Sequence, residues 1–326
     1  MEKEQHKDIQ KNKISIAVLM STYNGEKYLA EQIDSILGQQ GDFELRLFIR
    51  DDGSADSTRE ILGNYKSSEN IVVFCEGNVG ITESYFRLIH YVREQWNPDY
   101  YSLSDQDDVW LPEKLQCAVK ALEKEKNNHE VGFPLLYGCR SYLVNEKLEK
   151  TGQLTQKQLR PLTIYNTAIQ NILLGHNQVF NDVLANELCS KELDYSQIYA
   201  HDMWITQVAS VVGKIVFENV PHTLYRQHGK NELGYGSGAG TIKWLFARVQ
   251  RVAKGESRLI GRQTRFFFEE YGKVLSSKEE CRLKSFFSVQ NKIGKRCLSL
   301  MQSKLYRQRK AETILFAILF VMNRYG

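Results

Sequence analysis

A chain of 326 residues, 42% hydrophobic and 25% charged, can hold two domains or one α/β domain of about 200–250 residues with an appendage, and is neither disordered nor collagen-like in composition. Its longest apolar run, the nine residues Ile314–Met322, falls short of the roughly 20 needed to span a membrane as a helix. The net charge of +4 divides into −9 over residues 1–240 and +13 over residues 241–326, so the tail is a different surface from the body; with no recognised binding motif beside that charge, nucleic acid is not an expected partner.

Met1–Lys13 is charged and polar, and the apolar stretch Ile14–Met20 is too short, and lacks the small-residue cleavage site, to be a signal peptide. Ile14–Met20 reads instead as a first strand ending in Ser21-Thr22-Tyr23-Asn24-Gly25. Tyr28, Leu29, Ile33, Ile36 and Leu37 then recur at helical spacing. A second strand alternates Leu45, Leu47 and Ile49 and stops at Arg50-Asp51-Asp52-Gly53-Ser54, ahead of a helix over about Asp56–Tyr65. Ile71–Phe74 is a third strand, followed by Gly77-Asn78-Val79-Gly80 and a helix through about Trp96. A fourth, Tyr100–Leu103, ends in Ser104-Asp105-Gln106-Asp107-Asp108-Val109-Trp110, and Pro112 is placed to open the next helix. This alternation, continuing to about residue 220, predicts a βαβ sheet. Ile215–Phe217 is a later β-like run, after which Tyr225–His228 is expected to form a loop over the site. Gly234–Gly240 carries the composition of a linker or mobile lid. Six scattered cysteines without C-x-x-C spacing (Cys75, Cys117, Cys139, Cys189, Cys281, Cys297) read as reduced core thiols rather than a zinc site or disulfide frame, and the expected location is the cytoplasm.

Each of the first four strands ends in a polar cluster, and in open α/β sheets ligands bind beyond the carboxyl ends of strands. The glycines match neither G-x-G-x-x-G nor a P-loop. In an extended loop Asp105 and Asp107 would point to one side, and two such carboxylates suit Mg²⁺ or Mn²⁺ bound with substrate phosphates; a solvated acidic turn is the plain alternative. Asp51-Asp52-Gly53-Ser54 reads as a capped turn or as a contact to a base or ribose. Thr22–Gly25 is a strand-to-helix turn in which Tyr23 could stack on a nucleobase. Asp202 is either the N-cap of a helical stretch over Met203–Val212 or a catalytic base.

In this order, Ser21–Gly25, Arg50–Ser54, Asn78–Gly80, Asp105–Trp110, His201-Asp202-Met203-Trp204 and Leu224–His228 resemble the family 2 glycosyltransferases, over roughly residues 14–231. The Asp-Gln-Asp-Asp-Val-Trp and Tyr-Arg-Gln-His segments look most like the bacterial rhamnosyltransferase branch that builds cell-wall, capsular or O-antigen polysaccharide. The resemblance implies a GT-A nucleotide-diphospho-sugar fold, α/β with a mixed, mainly parallel sheet. It divides the chain into a catalytic domain at 14–231, a linker or lid at 232–240 and a basic, mainly helical region at 241–326. It further implies nucleotide-sugar contacts from Thr22, Tyr23, Asn24, Asp51, Asp52 and Asp105, metal ligation by Asp107 and His228, and Asp202 as catalytic base. Trp110, His176, His201 and Trp204 fall in donor or acceptor regions, His201 standing where the family usually has Glu. The implied reaction is inverting and metal-dependent. It moves a sugar, rhamnose by preference, from a dTDP- or UDP-linked donor to a growing glycan, which an undecaprenyl-diphosphate carrier could hold. A nucleotidyltransferase is disfavoured because the first turn lacks a basic, glycine-rich phosphate loop; a non-catalytic carbohydrate-binding protein of the same fold is the other alternative. The basic tail, with Trp244, Phe246, Phe266–Phe268 and Ile314–Met322, suits either an anionic inner-membrane surface or a packed helical appendage. On the first reading, deletion of residues 241–326 is expected to release the protein from membranes.

Overall fold

The computed structural model describes residues 13–229, 255–288 and 293–323. Its first half is β1 (Ile14–Thr22), α1 (Leu29–Leu37), β2 (Phe43–Asp51), α2 (Thr58–Gly63), β3 (Ile71–Cys75), α3 (Ile81–Gln95) and β4 (Tyr100–Ser104). Ile16 to Met20 are fully buried along β1, as a strand covered on both faces requires. The chain continues through β5 (Val109–Trp110), α4 (Lys114–Lys126), β6 (Leu135–Val144), β7 (Lys150–Leu154), α5 (Ile164–Thr167), β8 (Val179–Asn181), α6 (Asp182–Leu188), α7 (His201–Val212) and β9 (Lys214–Arg226). The strands form one mixed sheet ordered β3-β2-β1-β4-β8-β6-β9-β5, with β7 paired to β6. β1 to β4 are parallel, β8 is antiparallel to both its neighbours, and β6 and β9 are parallel.

Three local expectations change. Of the six cysteines only Cys139 is buried, while Cys75, Cys281 and Cys297 are exposed, so the thiols do not all belong to the core. Pro112 lies in the turn before α4, its carbonyl accepting the Gln40 N–H at 2.8 Å, and the helix begins at Lys114. The β-like run at Ile215 extends into a strand that includes Tyr225 and Arg226, so only Gln227 and His228 remain of the expected loop. Pro221 is accommodated because the β6–β9 register shifts beside Arg140, and a proline is tolerated at such an irregularity. At the start of β9, a Cβ on Gly213 would lie 2.2 Å from the Pro134 carbonyl oxygen. Gly213→Ala is therefore expected to cost about 1–3 kcal/mol, read as a lower urea midpoint.

The C-terminal helices are α8 (Glu256–Tyr271), α9 (Ser277–Ser288), α10 (Ile293–Ser303) and α11 (Lys310–Val321). Phe267, Tyr271, Phe286, Phe316 and Phe320 belong to the same apolar cluster as Leu19, Tyr85 and Leu103 of the sheet domain. Polar ties reinforce this packing: Thr264 Oγ1 donates to the Ala168 carbonyl at 2.8 Å and Gln308 Nε2 to Asn166 Oδ1 at 2.9 Å. The tail helices thus complete the core of the sheet domain. Gly234–Gly240, Trp244–Val252 and the proposed boundary near residue 231 lie outside the described residues. Among the described residues no helix is long and apolar enough to cross a membrane.

Candidate active site

Three loops at the carboxyl ends of β1, β2 and β4 are knitted to one another. Gln106 Oε1 accepts the Thr22 hydroxyl at 2.5 Å and the Tyr23 N–H at 2.9 Å, while Gln106 Nε2 donates to the Tyr23 carbonyl at 3.1 Å. The Asn24 N–H donates to Ser54 Oγ and Asn24 Oδ1 accepts the Ala55 N–H, both at 2.9 Å. A Cβ on Gly25 would meet Gln106 Oε1 at 2.4 Å, which is why the turn needs glycine there. Tyr23 is left 50% exposed at the rim.

Asp51 and Asp52 stand at the end of β2 with carboxylates already engaged by the protein. Asp51 is fully buried, pairs with Arg59 at 2.7 Å and accepts the Ser54 N–H at 3.2 Å. Asp52 pairs with buried Arg50 at 2.5 Å and accepts the Val79 and Gly80 N–H groups at 2.8 and 2.9 Å. Its charge sits at the N-terminus of α3, where the helix dipole favours an anion. Both residues therefore hold the loop that borders the site.

The loop after β4 bends at Gln106 and Asp107, so Asp105 and Asp107 do not share partners as an extended segment would suggest. Asp107 Oδ2 accepts a hydrogen bond from His228 Nε2 at 2.8 Å, joining the two expected metal ligands across 121 positions of chain. Asp105 turns instead toward His176, with Oδ2 3.4 Å from Nδ1. Asp108, fully buried, places its Oδ2 3.3 Å from the same nitrogen, and that oxygen has no hydrogen-bond partner among the described residues. Asp105, Asp108 and His176 offer ligand atoms within 4.8 Å of one another. Burial pushes the Asp108 carboxyl up to about 8. Burial also works upward on Asp105, but the hydrogen bond and charge of His176 outweigh it and hold that carboxyl below its ordinary value. On His176, burial favours the neutral ring, yet the charges of Asp108 and Asp105 raise its value overall. His176 Nε2 lies 2.9 Å from Ser141 Oγ, and its carbonyl accepts Lys114 Nζ at 2.7 Å.

A 3₁₀ turn at Gly175–Asn177 carries the constellation on to α7. Asp202 is in the first turn of α7, but the N-cap is Ala200, so capping is not its place. Its Oδ1 accepts the Met203 N–H at 2.6 Å and its Oδ2 the Gly175 N–H at 3.2 Å. Burial, reinforced by the nearby charge of Asp105 and only partly offset by these bonds, raises the Asp202 carboxyl to about 6. Such a group is mostly ionised at neutral pH and is a stronger base than an ordinary carboxylate. His201 stacks on Tyr85 with ring centroids 4.2 Å apart, and burial lowers its value to about 4, which keeps the ring neutral. Tyr85 in turn donates to the Ser104 carbonyl at 2.7 Å and to Asp105 at 3.3 Å.

The two tryptophans do not line an open pocket. Trp204 is fully buried and packs edge-on to Phe267 and Tyr271 of α8, at 5.7 and 6.1 Å; a large apolar ring on the inner side of α7 is claimed by the C-terminal helices. Trp110 is 2% exposed, with the Lys114 ammonium 3.0 Å from its ring centroid. A cleft of about 540 Å³ between residues 158–163 and 210–215 lies at the amino end of β9, away from the carboxylates. Residues that sequence reasoning did not single out include Lys114 and Tyr85; Arg226, although within the Leu224–His228 motif, was given no role. Lys114 had a signal: it shares the 114/118/122 stripe with buried Ala118 and Leu122. Arg226 is buried, with its N–H on Asp108 at 3.0 Å, its Nε on the Asp107 carbonyl at 2.9 Å and its guanidinium also reaching Glu31. It fastens the end of β9 to the acidic loop.

Residues 17–182 match the model of glycosyl transferase family 2. The chain is 26% identical over 313 residues to dTDP-rhamnosyl transferase RfbG of Shigella flexneri, covering 93% of this chain and 99% of that protein. It is 22% identical over 312 residues to an uncharacterized glycosyltransferase of Rickettsia typhi, covering 90% and 91%. Its fold is shared with residues 1–349 of S. aureus TarS, solved in complex with UDP, at a TM-score of 0.54 and 14% identity over 96% of this chain and 89% of that one. A half-length family match, a relative similar from end to end and the mixed sheet of its structural neighbours agree: the chain belongs to glycosyl transferase family 2 and is a glycosyltransferase of GT-A fold.

Proposed function

We propose that the enzyme transfers L-rhamnose from dTDP-L-rhamnose, with UDP-linked sugars as the alternative donors, to a growing cell-surface glycan with inversion at the anomeric carbon. The end-to-end similarity to a dTDP-rhamnosyl transferase supports the donor. The observation that carries the mechanism is the Asp202 carboxylate, raised to about 6 and joined through Gly175 to the turn that holds His176. The acceptor hydroxyl gives its proton to Asp202 as its oxygen bonds to the anomeric carbon. The bond from that carbon to the diphosphate oxygen breaks on the opposite side, and the nucleoside diphosphate leaves with the electron pair. One base suffices for a single displacement.

Tyr23 at the rim is the stacking surface for the base; Thr22, Asn24, Asp51 and Asp52 hold the loops around it, and Asp105 borders the ribose and diphosphate. Asp107 and His228 are the residues that would hold Mg²⁺ or Mn²⁺. A carboxylate suits either ion, and an imidazole nitrogen beside it suits Mn²⁺ better than the harder Mg²⁺; the buried Asp108 Oδ2, 3.3 Å from His176 Nδ1 and without a hydrogen bond among the described residues, adds a further oxygen to the acidic loop. When bound, the ion offsets charge on the departing diphosphate. His176 and neutral His201 flank the base on the acceptor side. The acceptor is a cell-wall, capsular or O-antigen glycan, carried on undecaprenyl diphosphate at the cytoplasmic face of the inner membrane, where the enzyme works as a peripheral protein.

Mass-spectrometric scanning of nucleotide sugars for transfer and hydrolysis, with and without Mn²⁺, tests the donor: dTDP-L-rhamnose should be consumed fastest, and preference for another sugar would reassign it. Asp107→Ala is expected to weaken metal-dependent dTDP binding by at least about 10–100-fold, the loss typical even of outer-shell changes at metal sites. Calorimetry showing the same affinity in variant and wild type would remove Asp107 from the metal site.

A further inference from the structure

α10 and α11 each bury one stripe and expose the opposite one. On α10, Arg296, Ser299 and Ser303 face inward; on α11, Glu312, Phe316 and Phe320 do. Arg296 donates to the Val321 carbonyl at 3.1 Å, so the start of α10 lies beside the end of α11 and the two helices run antiparallel. At positions pointing away from those inward stripes stand Ile293, Leu298 and Met301 on α10, and Ile314, Ile318 and Met322 at the end of α11. All six are half or more exposed. Single exposed apolar side chains need no explanation, but two parallel rows of them on adjoining helices do.

Charge decides what covers them. Residues 293–323 hold six Lys or Arg and one acid, Glu312, which is buried against Gln170 Nε2 at 2.9 Å. Lys295, Lys304, Arg309 and Lys310 are exposed around the apolar rows. A second copy of the chain would bring the same excess of positive charge against itself, whereas an anionic bilayer offers both hydrocarbon and counter-charge.

From this we infer that the outer face of α10 and α11 is a docking surface for an anionic lipid membrane, with Leu298, Met301, Ile314 and Ile318 entering the headgroup boundary and the surrounding lysines and arginines meeting lipid phosphates. The inference rests on the peripheral location proposed above and names the surface responsible. The sheet domain stays in water with the face pinned to the bilayer, and nothing crosses the membrane.

The test is co-sedimentation of the full chain with vesicles of phosphatidylcholine alone or mixed with phosphatidylglycerol, at low and high salt. Wild type should pellet with the anionic vesicles and much less with neutral ones, and salt should weaken binding. Leu298→Ser/Met301→Ser/Ile314→Ser/Ile318→Ser should lower partitioning by about tenfold or more, and Lys295→Glu/Lys310→Glu should abolish the preference for anionic lipid. dTDP release from dTDP-L-rhamnose in detergent-free solution should be the same in all three proteins. Equal partitioning of wild type and the Ser variant would overturn the inference. So would a wild-type dimer in sedimentation velocity that the Ser variant loses, without vesicle binding, since that assigns the face to a second copy. Vesicle binding by a chain that consumes no nucleotide sugar would leave the surface standing and overturn the proposed reaction instead.

Discussion

Asp202→Asn is expected to lower kcat by about 10²–10⁴-fold, the usual contribution of a positioned general base, while KM for the donor stays nearly unchanged because the leaving group and the base occupy opposite sides of the sugar. The wild-type rate should follow the ionised fraction of Asp202. With its carboxyl raised to about 6 by burial, log kcat should climb with unit slope below that pH and level off above it, and activity should be lost on acidification rather than on raising the pH. The Asn variant should lack the inflection. Equal glycan synthesis by mutant and wild type, or an unmoved inflection, would take the base role away from Asp202.

Removal of residues 255–323 should yield an insoluble or unfolded protein, not a soluble catalytic core. Phe267, Phe286 and Phe316 are nearly or fully buried in the cluster that also holds Tyr85 and Leu103, so truncation exposes a broad apolar surface. Trp204→Ala probes the same seam more gently and should cost about 3–5 kcal/mol, seen as a fall in the urea midpoint with no change of slope. A truncated chain that is soluble and unfolds cooperatively would show the helices to be dispensable. For the same reason, deletion of residues 241–326 is not a clean test of membrane binding, since the protein would leave the membrane by unfolding; the surface substitutions above separate the two effects.

The order of strands and helices was legible because each parallel strand is a short apolar run that stops at polar residues, a pattern set by burial on both faces. β1 to β4 lie where the hydrophobic pattern puts them. β5 and the full length of β9 were not legible, since a two-residue strand has no period and Pro221 masks a strand that continues past it. The pairing of Asp107 with His228 was visible only through motif order; no local property of either residue points to a partner 121 positions away. Trp204 misled for a physical reason. An exposed ring in a pocket and a buried ring under a tail helix look alike in sequence, and only the packing of Phe267 and Tyr271 against it distinguishes them. Asp51 and Asp52 show the converse: strand-end carboxylates suggest ligand binding, but Arg59, Arg50 and the start of α3 occupy them first.

Gln106 clamps the turn at Tyr23, and Asn24 clamps the turn at Ser54. This interlock bears on how donor preference could change, in evolution or by engineering. Grafting the Tyr23–Asn24 turn from a relative would strand hydrogen-bonding groups on both of the others, and grafting either of those would strand groups on it, so single-segment chimaeras should misfold locally, and a new nucleotide specificity should require exchange of the whole trio at once.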